Sequence, residues 1–497
     1  MLTDDLARQA ARFPDKCALA MAGGGAAITY AALNDQASRL AAVLIALGLN
    51  PGDAFALMLE NNLDAPAFWW AGQRIGCYYI PLSPRMTSAE AATILCSGGA
   101  KLLILGQSAA ADAANLAARC QNLRIFTLAD LAVRRAAATP LTEAAPLIGR
   151  ELIFSSGTTG TPKGVQRPLV VRTENPALPP LEMEIRRLFD VAEDMIYLAT
   201  APLHHATGRF LNRVIAAGGT TVIMPKFDPE GALHAIAQHG VTHSQWVPTM
   251  FSRLLALAPE IRARYSLSTH RLALHAGAPC PEPVKRAMLA WWGPILREYY
   301  GGTENVGVTR IDSDEWLTHP GSVGRPVLGA VKILSDDGSF RELPQGDIGV
   351  IHFSGGIPFV YHTEGVSTSA ALDATGWGTY GDLGKLDADG YLYISDRRTD
   401  LILCGGVNVY PAEIEKILET CAHVAEVAVV AKPHPDLGQV PVAFIVPARE
   451  GVREEDIIAF TRHRLSGIKL PRAIYFVDEL PRTESGKVRK LELRARL

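Results

Sequence analysis

The chain has 497 residues, with 48 Lys and Arg against 51 Asp and Glu, a formal net charge of −3. Hydrophobic residues make up 48% and charged residues 20%, the balance of an ordinary globular protein, and the length implies roughly two to four domains of ~100–200 residues. The near-neutral charge argues against nucleic acid or an anionic membrane surface as partner, because both select a basic face.

The start, "MLTDDLARQAARFPDK", carries two early acids and no apolar stretch, which is not the pattern of a secretory signal. The longest apolar run, Leu40 to Leu49, is ten residues, and a spanning helix needs ~20. The expectation is a cytoplasmic protein without an integral membrane segment. Seven cysteines (Cys17, Cys77, Cys96, Cys120, Cys280, Cys404 and Cys421) form no CxxC pair, so they read as reduced thiols rather than a disulfide framework or a zinc site.

In chain order, residues 30–49 have helical apolar spacing and end before Pro51-Gly52. The run "AFALML" (54–59) predicts a buried strand, 65–77 a helix, 78–83 a strand, 87–98 a helix capped by Thr87, and 101–106 a strand. This alternation predicts a largely parallel sheet covered by helices. Ala-rich 109–118 and 131–138 read as surface helices. The rhythm resumes at 151–310 with strand candidates at 151–157, 195–203, 220–225, 243–248 and 271–277. From about residue 320 the chain is rich in Gly, Asp and Pro, which predicts a small antiparallel β unit. The last hundred residues alternate helix (411–421), strands (424–433, 441–447), helix (454–466) and strand (473–481). A domain boundary is expected within 395–406, where a charged stretch meets a double glycine.

The stretch "SSGTTGTPKG" (155–164) is, apart from Pro162, small donors around one lysine. Exposed N–H groups, hydroxyls and a positive charge can wrap a polyphosphate. It is not a Walker A loop, since Pro162 stands at the second glycine and Gly164 follows Lys163. The alternative, for this stretch taken alone, is a polar surface loop.

Three further segments follow in order: "EYYGGTENVG" (298–307), "TYGDLGKLDADGYLYISDRRTDLILCGGVNVYPAEIEKI" (379–417) and "LPRTESGKVRK" (480–490). Together with "ITYAALNDQASRLAAVLIALGLNPGD" (28–53) they make the chain resemble, over almost its whole length, the adenylate-forming superfamily of acyl-CoA synthetases, firefly luciferase and peptide-synthetase adenylation domains.

The resemblance implies an α/β fold. A large N-terminal adenylation domain (1–397) would hold stacked, mainly parallel βα subdomains and a small β-barrel-like unit. A small, mobile α+β C-terminal lid would span 398–497. It implies an AMP-forming ligase that uses ATP, Mg2+ and coenzyme A. By resemblance Ser155, Ser156, Gly157, Thr158, Thr159, Gly160 and Lys163 cradle the β- and γ-phosphates. Thr303 meets the α-phosphate and Glu304 the magnesium. Tyr300, beside Gly301, stacks on adenine against the Gly277-Ala278-Pro279 backbone. Asp382 accepts the ribose hydroxyls and Arg397 adds a donor there. Lys487 bridges the acid carboxylate and the α-phosphate, two anions that repel one another.

A rotation of the lid about Thr399 would then bring Gly405 and Gly406 beside the thiol tunnel. Many members have Asp or Lys at the pivot, so Thr399 is a departure. His205, in "APLHHATGRF" (201–210), matches a histidine beside the acyl pocket. Trp246 is expected to line the acyl channel, and Gly302 and Gly307 to leave its floor roomy. "VQRPLV" (165–170) replaces a Thr-His or Ser-His pair of many coumarate and acyl ligases and resembles a bacterial branch acting on long-chain, steroid-side-chain and bile acids. A bulky hydrophobic, fatty or ring-bearing acid is therefore expected, in a chain that admits a homodimer.

Two alternatives stay open: an adenylation enzyme loading a carrier protein, and a non-catalytic nucleotide-binding regulator. Against the first, no acid near Ala201–Asn212 could pair a substrate ammonium. Against the second, both Lys487 and Glu304 are retained.

Overall fold

The computed structural model describes the chain except residues 1, 3, 156–161, 174–177, 337–338, 363–367, 369–370, 373–374, 398–399, 405–406, 463, 466 and 484–485; for 155, 206, 207, 209, 397 and 408 it describes the backbone alone. The first sheet is the one expected from residues 54–106. Its five parallel strands run in the order Arg124–Thr127, Ala100–Leu105, Ala54–Met58, Tyr78–Leu82 and Arg150–Glu151. Ala54–Met58 is buried at every position, as a parallel strand covered on both faces must be. The helix Ser88–Ser97 starts at Thr87 with a capping box: Thr87 Oγ1 accepts from Glu90 N, and the Glu90 carboxylate accepts from Thr87 N.

A second sheet has nine strands, in the order Arg325–Pro326, Val308–Asp312, Leu296–Gly301, Leu272–His275, His243–Trp246, Ile196–Ala199, Thr220–Ile223, Cys17–Met21 and Ala27–Thr29. Leu296–Gly301 through Cys17–Met21 pair in parallel, and the outer strands pair antiparallel. The main core packs Leu, Phe, Trp and Ala of the helices Tyr30–Ala46, Asp64–Ile75 and Ala206–Ala217 between the two large sheets.

The small β unit is a four-stranded antiparallel sheet, Val331–Leu334, Gly349–Phe353, Asp382–Leu386 and Leu392–Arg397. The run 151–157, expected as one strand, is broken. Arg150–Glu151 edges the first sheet, and Ile153–Ser155 joins a three-stranded antiparallel sheet with Lys163–Gln166 and Val360–Tyr361. Only Leu152, buried, lies between them.

Beyond Ile402 the strands Val407–Val409, Ile402–Cys404, Gly438–Pro447, Val424–His434 and Ile474–Phe476 form a sheet of their own, backed by the helices Pro411–Leu418 and Glu454–Arg462 around a separate core. Among the described residues, no helix is long and apolar enough to cross a membrane.

Candidate active site

Several of the residues singled out by sequence sit just beyond the carboxyl ends of the nine-stranded sheet. His205 follows the strand Ile196–Ala199, Gly277 to Pro279 follow Leu272–His275, and Gly302 to Glu304 follow Leu296–Gly301; Thr249, which the sequence did not single out, follows His243–Trp246. Open parallel sheets bind their ligands at this edge.

The nucleotide-side candidates meet there. The Tyr300 hydroxyl donates to Asp382 Oδ2 over 2.6 Å, and Asp382 is directly opposite Arg397 in the antiparallel pair of their strands. The adenine candidate and both ribose candidates are thus joined through one carboxylate and one strand register. Gly277 has φ of +91°, a left-handed conformation that favours glycine. Gly277 and Pro279 are exposed and Ala278 is half-buried, so this backbone is open to a flat ring.

Ser155 and Lys163 are direct partners across an antiparallel pair. The phosphate-binding candidate is therefore the tip of a β-hairpin whose ends are fixed; Ser156 to Gly160 lie outside the described residues. Lys163 Nζ stands 5.5 Å from the centre of the Tyr361 ring. The Tyr361 hydroxyl donates to Glu304 Oε1 over 3.0 Å. Burial, and then the Glu304 carboxylate, push the Tyr361 phenol upward, so it stays protonated and remains a donor. Arg167 closes the cluster: its Nη2 donates to the Thr303 carbonyl oxygen over 2.7 Å, and its Nη1 lies 3.3 Å from Glu151 Oε1.

The loop that carries Lys487 adjoins this edge. Thr483 N donates to the Lys487 carbonyl oxygen over 2.7 Å, and Lys487 N donates to Thr483 Oγ1 over 3.1 Å. Gly486 has φ of +83°, and a Cβ there would fall 2.6 Å from Thr249 Oγ1 and 3.4 Å from Val247. A Cβ at Gly277 would lie 3.6 Å from Val247 as well. The C-terminal loop is thus seated on the segment that borders the adenine candidate. Thr399, Gly405 and Gly406 lie outside the described residues; Cys404 and Val407, which flank the glycines, are paired across a hairpin.

On the acyl side, His205 is the residue before the helix Ala206–Ala217, with its ring 4.4 Å from that of His204. Two expectations fail. Trp246 does not line a channel: it is 1% exposed, lies among Phe227, Phe251 and Trp292, and donates from Nε1 to Ser244 Oγ over 2.6 Å. Strand alternation turns it to the sheet's other face, while Gln245 bonds Tyr197 and Tyr299 on the near one. Gly302 and Gly307 do not leave a roomy floor. A Cβ at Gly302 would lie 2.4 Å from the Tyr380 ring, and one at Gly307 would lie 2.3 Å from the Phe353 ring. Those rings occupy the space.

The family model described as AMP-binding enzyme matches residues 6–359, and that described as AMP-binding enzyme C-terminal domain matches 413–487. The chain belongs to the AMP-binding enzyme family. Within it, this AMP-binding enzyme falls in the acyl-CoA synthetase branch of the adenylate-forming superfamily, whose reaction is AMP-forming and uses ATP. It is 31% identical over 476 residues to the long-chain-fatty-acid–CoA ligase FadD13 of Mycobacterium tuberculosis, covering 94% of this chain and 92% of that one. It is 34% identical over 490 residues to the feruloyl-CoA synthase of an Amycolatopsis species, covering 96% of each. Its structure superposes on the crystal structure of ATP-bound MatB from Rhodopseudomonas palustris with a TM-score of 0.86 at 30% identity, covering 100% of this chain and 99% of that one.

Tyr361, Tyr380 and the contacts of Arg167 were missed by sequence reasoning for this AMP-binding enzyme. "VQRPLV" flagged the position of Arg167 as a departure, but no spacing signal links residue 167 to 303.

Proposed function

We propose that the chain is an ATP-dependent acid–CoA ligase. It would activate a hydrophobic fatty or ring-bearing carboxylic acid as acyl-AMP, release pyrophosphate, and pass the acyl group to CoA. The observation that carries this reading is the seating of the Lys487 loop on Val247 and Thr249, beside Gly277. A lysine there is at the junction of acid and nucleotide. Preference for a hydrophobic acid rests on relatives named for long-chain fatty acids and feruloyl-CoA.

In this mechanism Tyr300 and the Gly277-Ala278-Pro279 backbone hold adenine. Asp382 accepts the ribose hydroxyls, assisted by Arg397, and the hairpin from Ser155 to Lys163 holds the β- and γ-phosphates. Thr303, its carbonyl anchored by Arg167, faces the α-phosphate. The Lys487 ammonium lies between the attacking carboxylate and that phosphate, so it opposes their repulsion where charge builds up. Glu304 fits a magnesium ligand, being an oxygen donor with one oxygen fixed by Tyr361. Magnesium, when bound, supplies charge neutralisation on the phosphate oxygens. His205 orients the carboxylate.

For thiol transfer, residues 398–497 act as a lid turning about Thr399, which brings Gly405 and Gly406 to the pantetheine arm. A panel of fatty, aromatic and polycyclic acids, scored by pyrophosphate release with and without CoA, tests this. The expected result is turnover of hydrophobic acids with thioester formed from CoA alone. Strict dependence on an added carrier protein, or preference for short polar acids, would overturn it.

A further inference from the structure

Two cysteines away from the nucleotide site meet. Cys96 is in the last turn of the helix Ser88–Ser97, and Cys120 directly follows the helix Ala113–Arg119. Their sulfurs are 3.3 Å apart, the one thiol–thiol contact among the described residues. Cys96 is exposed and Cys120 is buried. Neither side chain takes part in the proposed ligase reaction.

We propose that Cys96 and Cys120 are a reversible thiol–disulfide modification site, with Cys96 as the entering thiol and Cys120 as the resolving thiol. A disulfide needs the sulfurs at about 2 Å, so a closure of little more than 1 Å is required. Both residues sit at helix ends, where the terminal turn can shift without disturbing a full helix. The division of labour follows from environment. Burial, and then the neighbouring Cys96, push the Cys120 thiol up to about 11, which keeps it protonated and poor at initiating exchange. Cys96 meets solvent and can meet an oxidant.

The oxidant is a small-molecule disulfide such as oxidised glutathione. The Cys96 thiolate attacks one of its sulfurs, the glutathione S–S bond breaks, and one glutathione thiolate departs. Cys120 Sγ then attacks Cys96 Sγ in the mixed disulfide. The protein S–S bond forms and the second glutathione departs, taking up the proton that Cys120 loses. Two protein thiols are oxidised and one glutathione disulfide is reduced to two thiols, so atoms and electrons balance. An excess of reduced thiol reverses both steps.

The test is incubation of the folded full-length protein with oxidised glutathione, followed by alkylation and tryptic mapping without reduction. Expected are the loss of two of the seven thiols and a cross-linked pair of tryptic peptides, 86–101 with 120–124, both reversed by dithiothreitol. Cys120→Ser is expected to retain one glutathione on Cys96, and Cys96→Ser to leave Cys120 open to alkylation after denaturation. Retention of all seven thiols, or a stable glutathione adduct on Cys96 of the unmutated protein, would overturn the proposal. Equal oxidation of Cys120 in Cys96→Ser would overturn it too. The peptide map of the unmutated protein decides the matter even where a variant fails to fold.

Discussion

Tyr361 touches two charged groups at once: its hydroxyl donates to Glu304 Oε1 over 3.0 Å, and its ring lies 5.5 Å from Lys163 Nζ. The strand Val360–Tyr361 pairs with the strand that begins at Lys163. One phenol therefore ties the proposed metal ligand to the proposed phosphate lysine.

Tyr361→Phe removes the donor and keeps the ring. A hydrogen bond to a carboxylate contributes ~1.5–3 kcal/mol, so activity should fall about 10- to 100-fold. The half-saturating magnesium concentration should rise, because Glu304 Oε1 loses the bond that aims it. Pyrophosphate release titrated with Mg2+ checks this. A variant with unchanged magnesium dependence would show that Tyr361 serves packing alone.

Lys487→Ala should cut acyl-AMP formation by at least ~10²-fold, the scale of one electrostatic group acting on a transition state. Thioester formation from supplied acyl-AMP should be spared, since the lysine acts on the first step. Single-turnover assays of each half-reaction separate the two, and equal losses would contradict the role.

Gly307→Ala should destabilise rather than re-specify. Its Cβ would fall 2.3 Å from the Phe353 ring, which is fully buried. Overpacking of this kind costs ~1–3 kcal/mol. A lower melting temperature with an unchanged order of acid preference is expected. A changed preference at constant melting temperature would restore the glycine to the pocket floor.

Acid should unfold the protein partly through two histidines. Burial is the first cause that holds His243 down at about 4 and His270 at about 3. Their stabilising contribution is fully present above the unfolded value of ~6.5. It is lost as pH falls from there towards 4 and 3, because the unfolded chain takes up protons that the folded chain refuses. Each imidazole adds up to ~1.4 kcal/mol per pH unit to the slope. Denaturant midpoints between those limits should fall less steeply for His270→Asn than for the unmutated chain.

Much of the architecture was legible because its signals are local. Thr87 announced a helix N-cap, Pro411 a helix start, and alternating apolar runs a parallel sheet; the Glu90 half of the capping box emerged only in the structure. The ordered motifs also pointed to Tyr300, Asp382, Glu304 and Lys487, four residues that the chain brings to one edge or its border. What failed was non-local. Trp246 looked like a channel wall because an aromatic beside a loop gives no sign of which sheet face it takes. Gly302 and Gly307 looked like open space because the rings filling it come from residues 380 and 353. The bond from Arg167 to the Thr303 carbonyl joins positions 136 apart, and neither residue hints at the other.

The single residue between Arg150–Glu151 and Ile153–Ser155 keeps two sheets in phase. Leu152 N still bonds the Tyr79 carbonyl oxygen of the first sheet, while Phe154 packs against both Gly98 and Gly164. Strand side chains alternate with a period of two. One residue inserted at this joint would turn Phe154 to the opposite face and move Ser155 out of step with Lys163. The length of that joint is therefore as much a part of the proposed nucleotide site as any charged group in it: its parity sets which way the strand entering the proposed phosphate hairpin faces.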